Sequence, residues 1–324
     1  MTERQGPADP PDAATVPVPA SIAVYVCTYQ RNDELARLLD SLEVAAERVS
    51  PTTATGVVVV DDNPDGRARR VVEESTRSFP LGLGYRHAGS QNISIARNTG
   101  LDAAMEIADW VAMTDDDCVV DPDWLVELVA AQVRHGADAV TGPLLRAYPA
   151  DAPSWLTDEP FEVDSVLVDA DTDHPTALCG TNNSMVSTRL LRAHPDIRFD
   201  PALGTIGGED MVFFSALNDA GMNAVYTPRA VVNDVITAER CTLRFQLGRS
   251  MWLGNSMAVT TTRTGEAGPA RIALRAVKRI WTGLTHPVRR VLARESPQVR
   301  FAASRVAIGL GQLVGAVGVT MRHH

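Results

Sequence analysis

The chain has 324 residues, 45% hydrophobic and 22% charged. That length suits one large α/β domain or two smaller ones, and the composition excludes collagen-like, coiled-coil and wholly disordered chains. A formal net charge of −10 argues against a nucleic-acid partner bound by bulk phosphate neutralisation, but not against a nucleotide whose charge is met by a metal ion.

The charge is unevenly spread. Residues 263–324 carry eleven bases, among them the only lysine, Lys278, and two acids, whereas the preceding 262 residues carry 19 bases and 38 acids. An acidic body with a basic tail points to two jobs, catalysis and contact with an anionic surface. Cys27, Cys118, Cys179 and Cys241 are dispersed, without metal-site spacing, which fits reduced thiols of a cytosolic protein. No basic stretch followed by an apolar run opens the chain, so no secretory signal is expected. Five prolines among the first twenty residues predict a disordered leader over 1–20.

From there the pattern alternates. Ile22 to Thr28 reads as a strand, and Leu35, Leu38, Leu39 and Leu42 mark a helix. Gly56 to Val60 is a valine-rich strand ending in Asp61-Asp62-Asn63-Pro64-Asp65-Gly66. A helix over 68–78, a weak strand over 83–86, a helix over 93–108 and a strand over 110–113 follow, the last ending in Thr114-Asp115-Asp116-Asp117. A helix opened by Pro122 and a strand over 139–145 complete the series. Strands alternating with helices imply βαβ units and a parallel sheet, and a valine run without alternation fits a strand buried on both faces. Residues 148–177 lose this regularity and read as a functional loop containing Trp155. Pattern resumes at Cys179-Gly180-Thr181-Asn182-Asn183 and at Gly207-Gly208-Glu209-Asp210, which opens a helix to Ala220. Strands over 224–227 and 230–235 and a helical remainder from Thr242 close the chain. The domains expected are the leader, a catalytic domain over 21–240 and a basic helical extension over 241–324.

Three acidic clusters stand at predicted strand ends: Asp61-Asp62, Asp115-Asp116-Asp117 and, after a turn, Glu209-Asp210. Ligands of open parallel sheets bind beyond the carboxyl ends of the strands. One such aspartate is ordinary turn or cap chemistry; three clusters on one edge repel each other unless a cation or donors hold them. Strand alternation would let Asp115 and Asp117 share Mg²⁺ or Mn²⁺, which would bridge the phosphates of a nucleoside diphosphate.

These residues, in this order, resemble the family 2 glycosyltransferases, inverting enzymes of the GT-A fold that use nucleotide-diphosphate sugars. The resemblance runs from Val24 to about Asn255, through Val26-Cys27-Thr28-Tyr29-Gln30-Arg31, Val59-Val60-Asp61-Asp62-Asn63, Ile95-Ala96-Arg97-Asn98-Thr99-Gly100-Leu101, Asp115-Asp116-Asp117 and Gly207-Gly208-Glu209-Asp210. Asn92-Ile93-Ser94, Ala139-Val140-Thr141-Gly142-Pro143 and Pro153-Ser154-Trp155 look like the succinoglycan-type exopolysaccharide glucosyltransferases. The resemblance implies a Rossmann-like, mostly parallel mixed sheet flanked by helices; the basic tail on an acidic body predicts a cytoplasmic enzyme, peripheral at the inner face of the membrane. The donor would be a nucleotide-diphosphate sugar, of UDP type, and the acceptor a saccharide or lipid-linked saccharide.

By position it implies that Tyr29 stacks on the base and Asp61 hydrogen-bonds it. Arg97 would contact base or diphosphate and Asp116 the ribose, with Thr28, Arg31, Asp62 and Glu209 completing the donor site. Asp115 and Asp117 would hold the metal, Asp210 would be the base, and Trp155 and Asn183 would face the acceptor. Many members carry a metal-binding histidine about two dozen residues after the Glu-Asp pair; here the stretch reads Val232-Asn233-Asp234-Val235, which makes Asp234 the candidate oxygen ligand. From the residues alone, Arg97 pairing with an acid such as Asp102 on its own helix and Asn98 acting as a local cap stay open.

Two other classes fit carboxylates and Mg²⁺: a nucleotidyl or phosphoryl transferase, disfavoured by the missing Gly-rich loop with lysine, and a non-catalytic nucleotide-sugar-binding protein. Gly309-Leu310-Gly311-Gln312-Leu313-Val314-Gly315 imitates a dinucleotide loop but lacks a preceding strand. In the tail, Arg271, Arg275, Lys278 and Arg279 interleave with Ile272, Leu274, Val277, Ile280 and Trp281, and 306–319 is an apolar run too short to span a bilayer. Packing on the domain and contact with an anionic membrane surface through 263–324 both fit.

Overall fold

A computed structural model describes residues 17–157, 161 and 172–321. The expected leader, apart from 17–20, and much of the 148–177 loop lie outside the described residues. The elements are β1 (Ser21–Thr28), α1 (Asn32–Val49), β2 (Ala54–Asp61), α2 (Arg69–Glu73), β3 (Leu83–His87), α3 (Ile93–Ile107), β4 (Trp110–Met113), β5 (Cys118–Val120), α4 (Trp124–His135), β6 (Ala139–Thr141), β7 (Leu144–Ala147), α5 (Ser154–Thr157), β8 (His174–Pro175), β9 (Ser184–Ser187), α6 (Thr188–Ala193), α7 (Glu209–Asp219), β10 (Ala224–Tyr226), β11 (Val232–Val235), α8 (Leu243–Arg263), α9 (Pro269–Leu292) and α10 (Val299–Ala316).

The main sheet has eight strands in the order β3-β2-β1-β4-β9-β6-β10-β8. Its β3-β2-β1-β4 half is wholly parallel, and β9 enters antiparallel between β4 and β6. β1 is buried on both faces and feeds two cores. Ile22, Val24 and Val26 pack on the side of α1 and α4, while Ala23 and Tyr25 pack on the side of α3 and α7. The leucines of α1 recur every three to four residues and are all buried, so the helix lies on the sheet along one stripe.

Four details depart from the sequence expectation. The helix placed over 68–78 is one short turn, Arg69–Glu73. The strand placed over 139–145 breaks at Gly142-Pro143 into β6 and β7, because at Gly142 the backbone carbonyl of Ala230 approaches so closely that a Cβ would lie 2.1 Å from its oxygen. The four-residue strand β9 and the helix α6 behind it, which the pattern did not announce, fill the centre of the sheet. A second, three-stranded sheet, β5-β11-β7, stands beside the first.

The C-terminal region is three helices. α10 packs against both α8 and α9, which explains the Gly309-to-Gly315 run. A Cβ at Gly311 would lie 1.9 Å from the Met251 carbonyl oxygen of α8, and one at Gly309 3.0 Å from the Ala276 carbonyl oxygen of α9. These glycines allow helix backbones to touch. The apolar run over 306–319 is thus largely spent on helix packing. Among the described residues no helix is long and apolar enough to cross a membrane.

Candidate functional site

Strand register brings the acidic clusters together. Thr28 at the end of β1 lies opposite Asp61 at the end of β2, and β4, on the other flank of β1, leads directly into Asp115-Asp116-Asp117. The helix α3, capped by Asn92, whose side chain accepts from the amides of Ser94 and Ile95, lies beside them and carries Arg97. The side chain of Asn98 is no local cap: it exchanges two hydrogen bonds with the Phe199 backbone (2.9 and 3.0 Å) and so ties α3 to the segment preceding Glu209.

Asp61 and Asp62 are saturated with donors. Asp61 accepts from the amides of Asn63 (2.9 Å) and Ala68 (2.7 Å) and from the Tyr85 hydroxyl (3.2 Å), and is only 1% exposed. Asp62 accepts from the Ser90 amide and hydroxyl (2.8 and 2.7 Å) and from the Asn92 amide (2.7 Å). These carboxylates anchor the loops over 63–68 and 90–92. Gln91 (φ 52°), in the loop that Asp62 anchors, and Gln30 (φ 58°), in the β1–α1 loop, are both left-handed, the kind of backbone outlier that gathers at functional sites. The Gln91 side chain donates to the hydroxyl of Tyr29 (2.9 Å), whose ring stands 40% exposed at the rim.

The other acids are held by arginines. Asp116 is buried, accepts from the Thr28 hydroxyl (2.8 Å) and from Arg31 (2.8 Å), and is pushed up to about 6 by burial, against the pull of Arg31. Asp117 accepts from Arg31 (2.9 Å) and Arg240 (3.0 Å). Arg97, 8% exposed, donates to Glu209 and reaches Asp115 at 3.4 Å. Its partners are thus on two other elements and not on its own helix; Asp102 pairs with Arg198 instead (2.7 Å). Burial raises the carboxyls of Asp115 and Glu209, Arg97 lowers both, and the charge of nearby Asp210 raises both. The strand β4 ends before Asp115, so strand alternation does not govern the triplet: Asp115 turns to Arg97 and Asp117 to Arg31 and Arg240.

Glu209 and Asp210 form the first turn of α7, where the positive end of the helix dipole favours acids. Gly208 at the cap has φ 86°, and a Cβ there would lie 2.4 Å from Thr260 Cγ2 of α8. Trp252 of α8 also donates to the Ile206 carbonyl (2.8 Å). The C-terminal helices therefore buttress the turn that aims Glu209 and Asp210.

Asp234 on β11 pairs in register with Cys118, just past the triplet. Burial, then the charge of Asp117, pushes its carboxyl up to about 6, and its Oδ1 is buried with no partner among the described residues. No three of His, Cys, Asp and Glu form a ready metal cage among the described residues. Asn183 does not reach the cleft: it is fully buried, donates to the carbonyls of Pro143 (2.9 Å) and Ala230 (2.7 Å) and accepts from the Trp124 indole (2.8 Å). It joins the two sheets. Trp155 packs edge-on to Phe161, with the Arg300 guanidinium 6.0 Å from its ring centroid. Arg240, Ser90 and Trp252 were not read from the sequence; each is remote along the chain from the acid or turn it holds, and no local pattern marks it.

A family model described as "Glycosyl transferase family 2" matches residues 23–194. The succinoglycan biosynthesis protein ExoM of Rhizobium meliloti is 34% identical over 236 residues, which cover 72% of this chain and 73% of the relative. A glucosyl-dolichyl phosphate glucuronosyltransferase of Haloferax volcanii is 25% identical over 247 residues, 74% of this chain and 76% of the relative. Among solved structures, S. aureus TarS residues 1–349 in complex with UDP-GlcNAc shares the fold with a TM-score of 0.52 at 14% identity, over 90% of this chain and 89% of that one. The fold is thus the α/β arrangement expected of GT-A enzymes, and the chain belongs to glycosyl transferase family 2 and is a glycosyltransferase.

Proposed function

We propose that the protein moves a sugar, with inversion, from a UDP-type nucleotide-diphosphate sugar to a hydroxyl of a saccharide, in exopolysaccharide or related glycoconjugate synthesis. Tyr29 would stack on the base, at the rim where Arg31 and Asp116 are fixed by each other and by Thr28. Asp210 accepts the acceptor's proton as the hydroxyl attacks the anomeric carbon opposite the departing diphosphate. Arg97 and Glu209 position Asp210 and Asp115. Trp155 lies on the acceptor side.

The donor set fits a divalent cation that arrives with the nucleotide. Mg²⁺ commonly takes one or two carboxylates plus substrate phosphates, not an all-protein cage. Asp115, Asp117 and Asp234 supply excess negative charge, and the unpartnered Asp234 oxygen is one acceptor short of a donor. Mg²⁺ or Mn²⁺ there would neutralise charge on the leaving diphosphate. The likeness to exopolysaccharide enzymes favours a lipid-linked saccharide acceptor, and the basic region 263–324 favours peripheral placement at an anionic inner leaflet.

The observation that carries this reading is the Arg97 bridge between Asp115 and Glu209, which gathers carboxylates from a strand end and a helix start. Nucleotidyl transfer is disfavoured by the missing Gly-rich loop with lysine; the only lysine, Lys278, is on α9. Incubation with UDP-sugars, Mn²⁺ and saccharide acceptors, with UDP release and product linkage both measured, separates the classes. Release of UDP coupled to a new glycosidic bond of inverted configuration supports transfer. A nucleotidylated product, or binding with neither product, overturns it.

A further inference from the structure

The helix α9 buries one side and leaves the other unused. Ile272, Ala276 and Gly283 face inward, and Gly283 is so close to α10 that a Cβ would lie 2.9 Å from Val306 Cγ2. On the opposite side, Leu274, Val277, Trp281, Leu284, Val288 and Val291 follow one another at alternating steps of three and four residues and are all exposed, Trp281 by 64%. At 3.6 residues per turn such steps hold one continuous stripe. Isolated exposed apolar residues are ordinary, but a stripe of six running over about five turns marks a contact surface.

Charge identifies what covers it. Six bases and no acid lie in Pro269–Leu292. Arg271, Arg275, Lys278 and Arg289 are exposed along one flank of the stripe and have no ion pair among the described residues. Two copies pairing stripe to stripe in the antiparallel sense would set two such flanks side by side, cation against cation. An apolar stripe edged by arginine and lysine with a tryptophan in it matches acyl chains edged by anionic headgroups.

We propose that α9 is an interfacial helix. Its apolar stripe enters an anionic lipid surface, and Arg271, Arg275, Lys278 and Arg289 meet the headgroup phosphates. This narrows the membrane placement proposed above for residues 263–324, and rests on that reading, to one helix face; α10 is excluded because α8 and α9 cover it. The turn after α9 leads to Arg300 at the start of α10, which stands against Trp155, so a bilayer on α9 would lie beside the acceptor side.

The test uses the full chain in co-sedimentation with vesicles of phosphatidylcholine, alone or with about a third phosphatidylglycerol, at low and high salt. We expect about a hundredfold preference for the anionic vesicles at low salt. That preference should be lost at high salt, with Arg271→Gln/Arg275→Gln/Lys278→Gln, and with Trp281→Asp/Leu284→Asp. Every substituted side chain is exposed, so melting curves should be unchanged. Trp281→Phe should still bind but lose the blue shift of tryptophan emission on vesicle addition. If the parent protein ignores anionic vesicles, both the membrane reading and the α9 assignment fail. If it binds and both multiple variants bind equally well, the α9 assignment alone fails. A dimer in sedimentation velocity that Trp281→Asp/Leu284→Asp dissolves would make a second copy the occupant and overturn the lipid surface.

Discussion

The rim of the sheet has two halves that look alike in sequence and differ in physics. Asp61-Asp62 and Asp115-Asp116-Asp117 are both aspartate runs after an apolar strand. In the first, all four carboxylate oxygens receive protein donors, most of them backbone amides. In the second, the charges are held by arginines from three distant segments, carboxyls are pushed upward by burial, and oxygens of Glu209 and Asp234 have no partner among the described residues. A saturated carboxylate builds a loop. An under-compensated one retains capacity for a ligand's cation and charge.

The largest effect should follow from removing the bridge between the strand-end acid Asp115 and Glu209 of α7. Arg97→Ala leaves Glu209 buried without its counter-charge and should lower stability by about 3–5 kcal/mol, read from urea melts, and abolish UDP release. The double variant Arg97→Met/Glu209→Gln removes both charges and should recover most of the stability but none of the activity. If the single variant melts like the parent protein, the bridge is not structural.

Asp210→Asn should reduce kcat by about 10²–10⁴ with donor Kd, by calorimetry, nearly unchanged. A loss of donor binding as large as the loss of turnover would move Asp210 from the base role to donor recognition.

Protonation sharpens the contrast. The folded-state carboxyl of Asp234 sits near 6, above its unfolded value, so it favours folding below about pH 4 and that contribution is lost as pH rises through about 6. Asp234→Asn should therefore raise the Tm of metal-free protein at pH 7.5 and leave it nearly unchanged near pH 3.5. Mn²⁺ with UDP should stabilise the parent protein more at pH 7.5 than at pH 5, because the ligands must be deprotonated. An equal Tm change at both pH values would mean that Asp234 is not held in strain.

The smallest effect belongs to the saturated half. Asp62→Asn keeps one carbonyl acceptor but turns an NH2 toward the Ser90 or the Asn92 amide, and should cost about 1–3 kcal/mol of stability, with kcat retained once the protein is folded.

Much of this was legible before any coordinates. Valine runs and leucine periodicity report burial directly, so β1, β2, α1, α3 and β4 stand where the pattern puts them. Short elements escaped: β9 is four residues, too few to show a period, and α2 stops at Glu73 because tertiary packing buries only Val72 of its apolar residues. The acids were legible too, since strand ends announce them. Their partners were not. Arg240 reaches Asp117 across 123 positions, and nothing local distinguishes it from any surface arginine. The acceptor expectation at Asn183 failed for a related reason: a polar residue after a glycine turn looks the same whether it faces a cleft or, as here, satisfies buried carbonyls.

The most direct test of the two-half account is a calorimetric titration of UDP with and without Mn²⁺, on the parent protein, Asp115→Asn/Asp117→Asn and Asp61→Asn/Asp62→Asn. The account predicts that Mn²⁺ tightens UDP binding by about tenfold or more in the parent and the Asp61/Asp62 variant, and that this dependence vanishes in the Asp115/Asp117 variant. Mn²⁺ dependence that survives in the Asp115/Asp117 variant, or that vanishes equally in both, would contradict it.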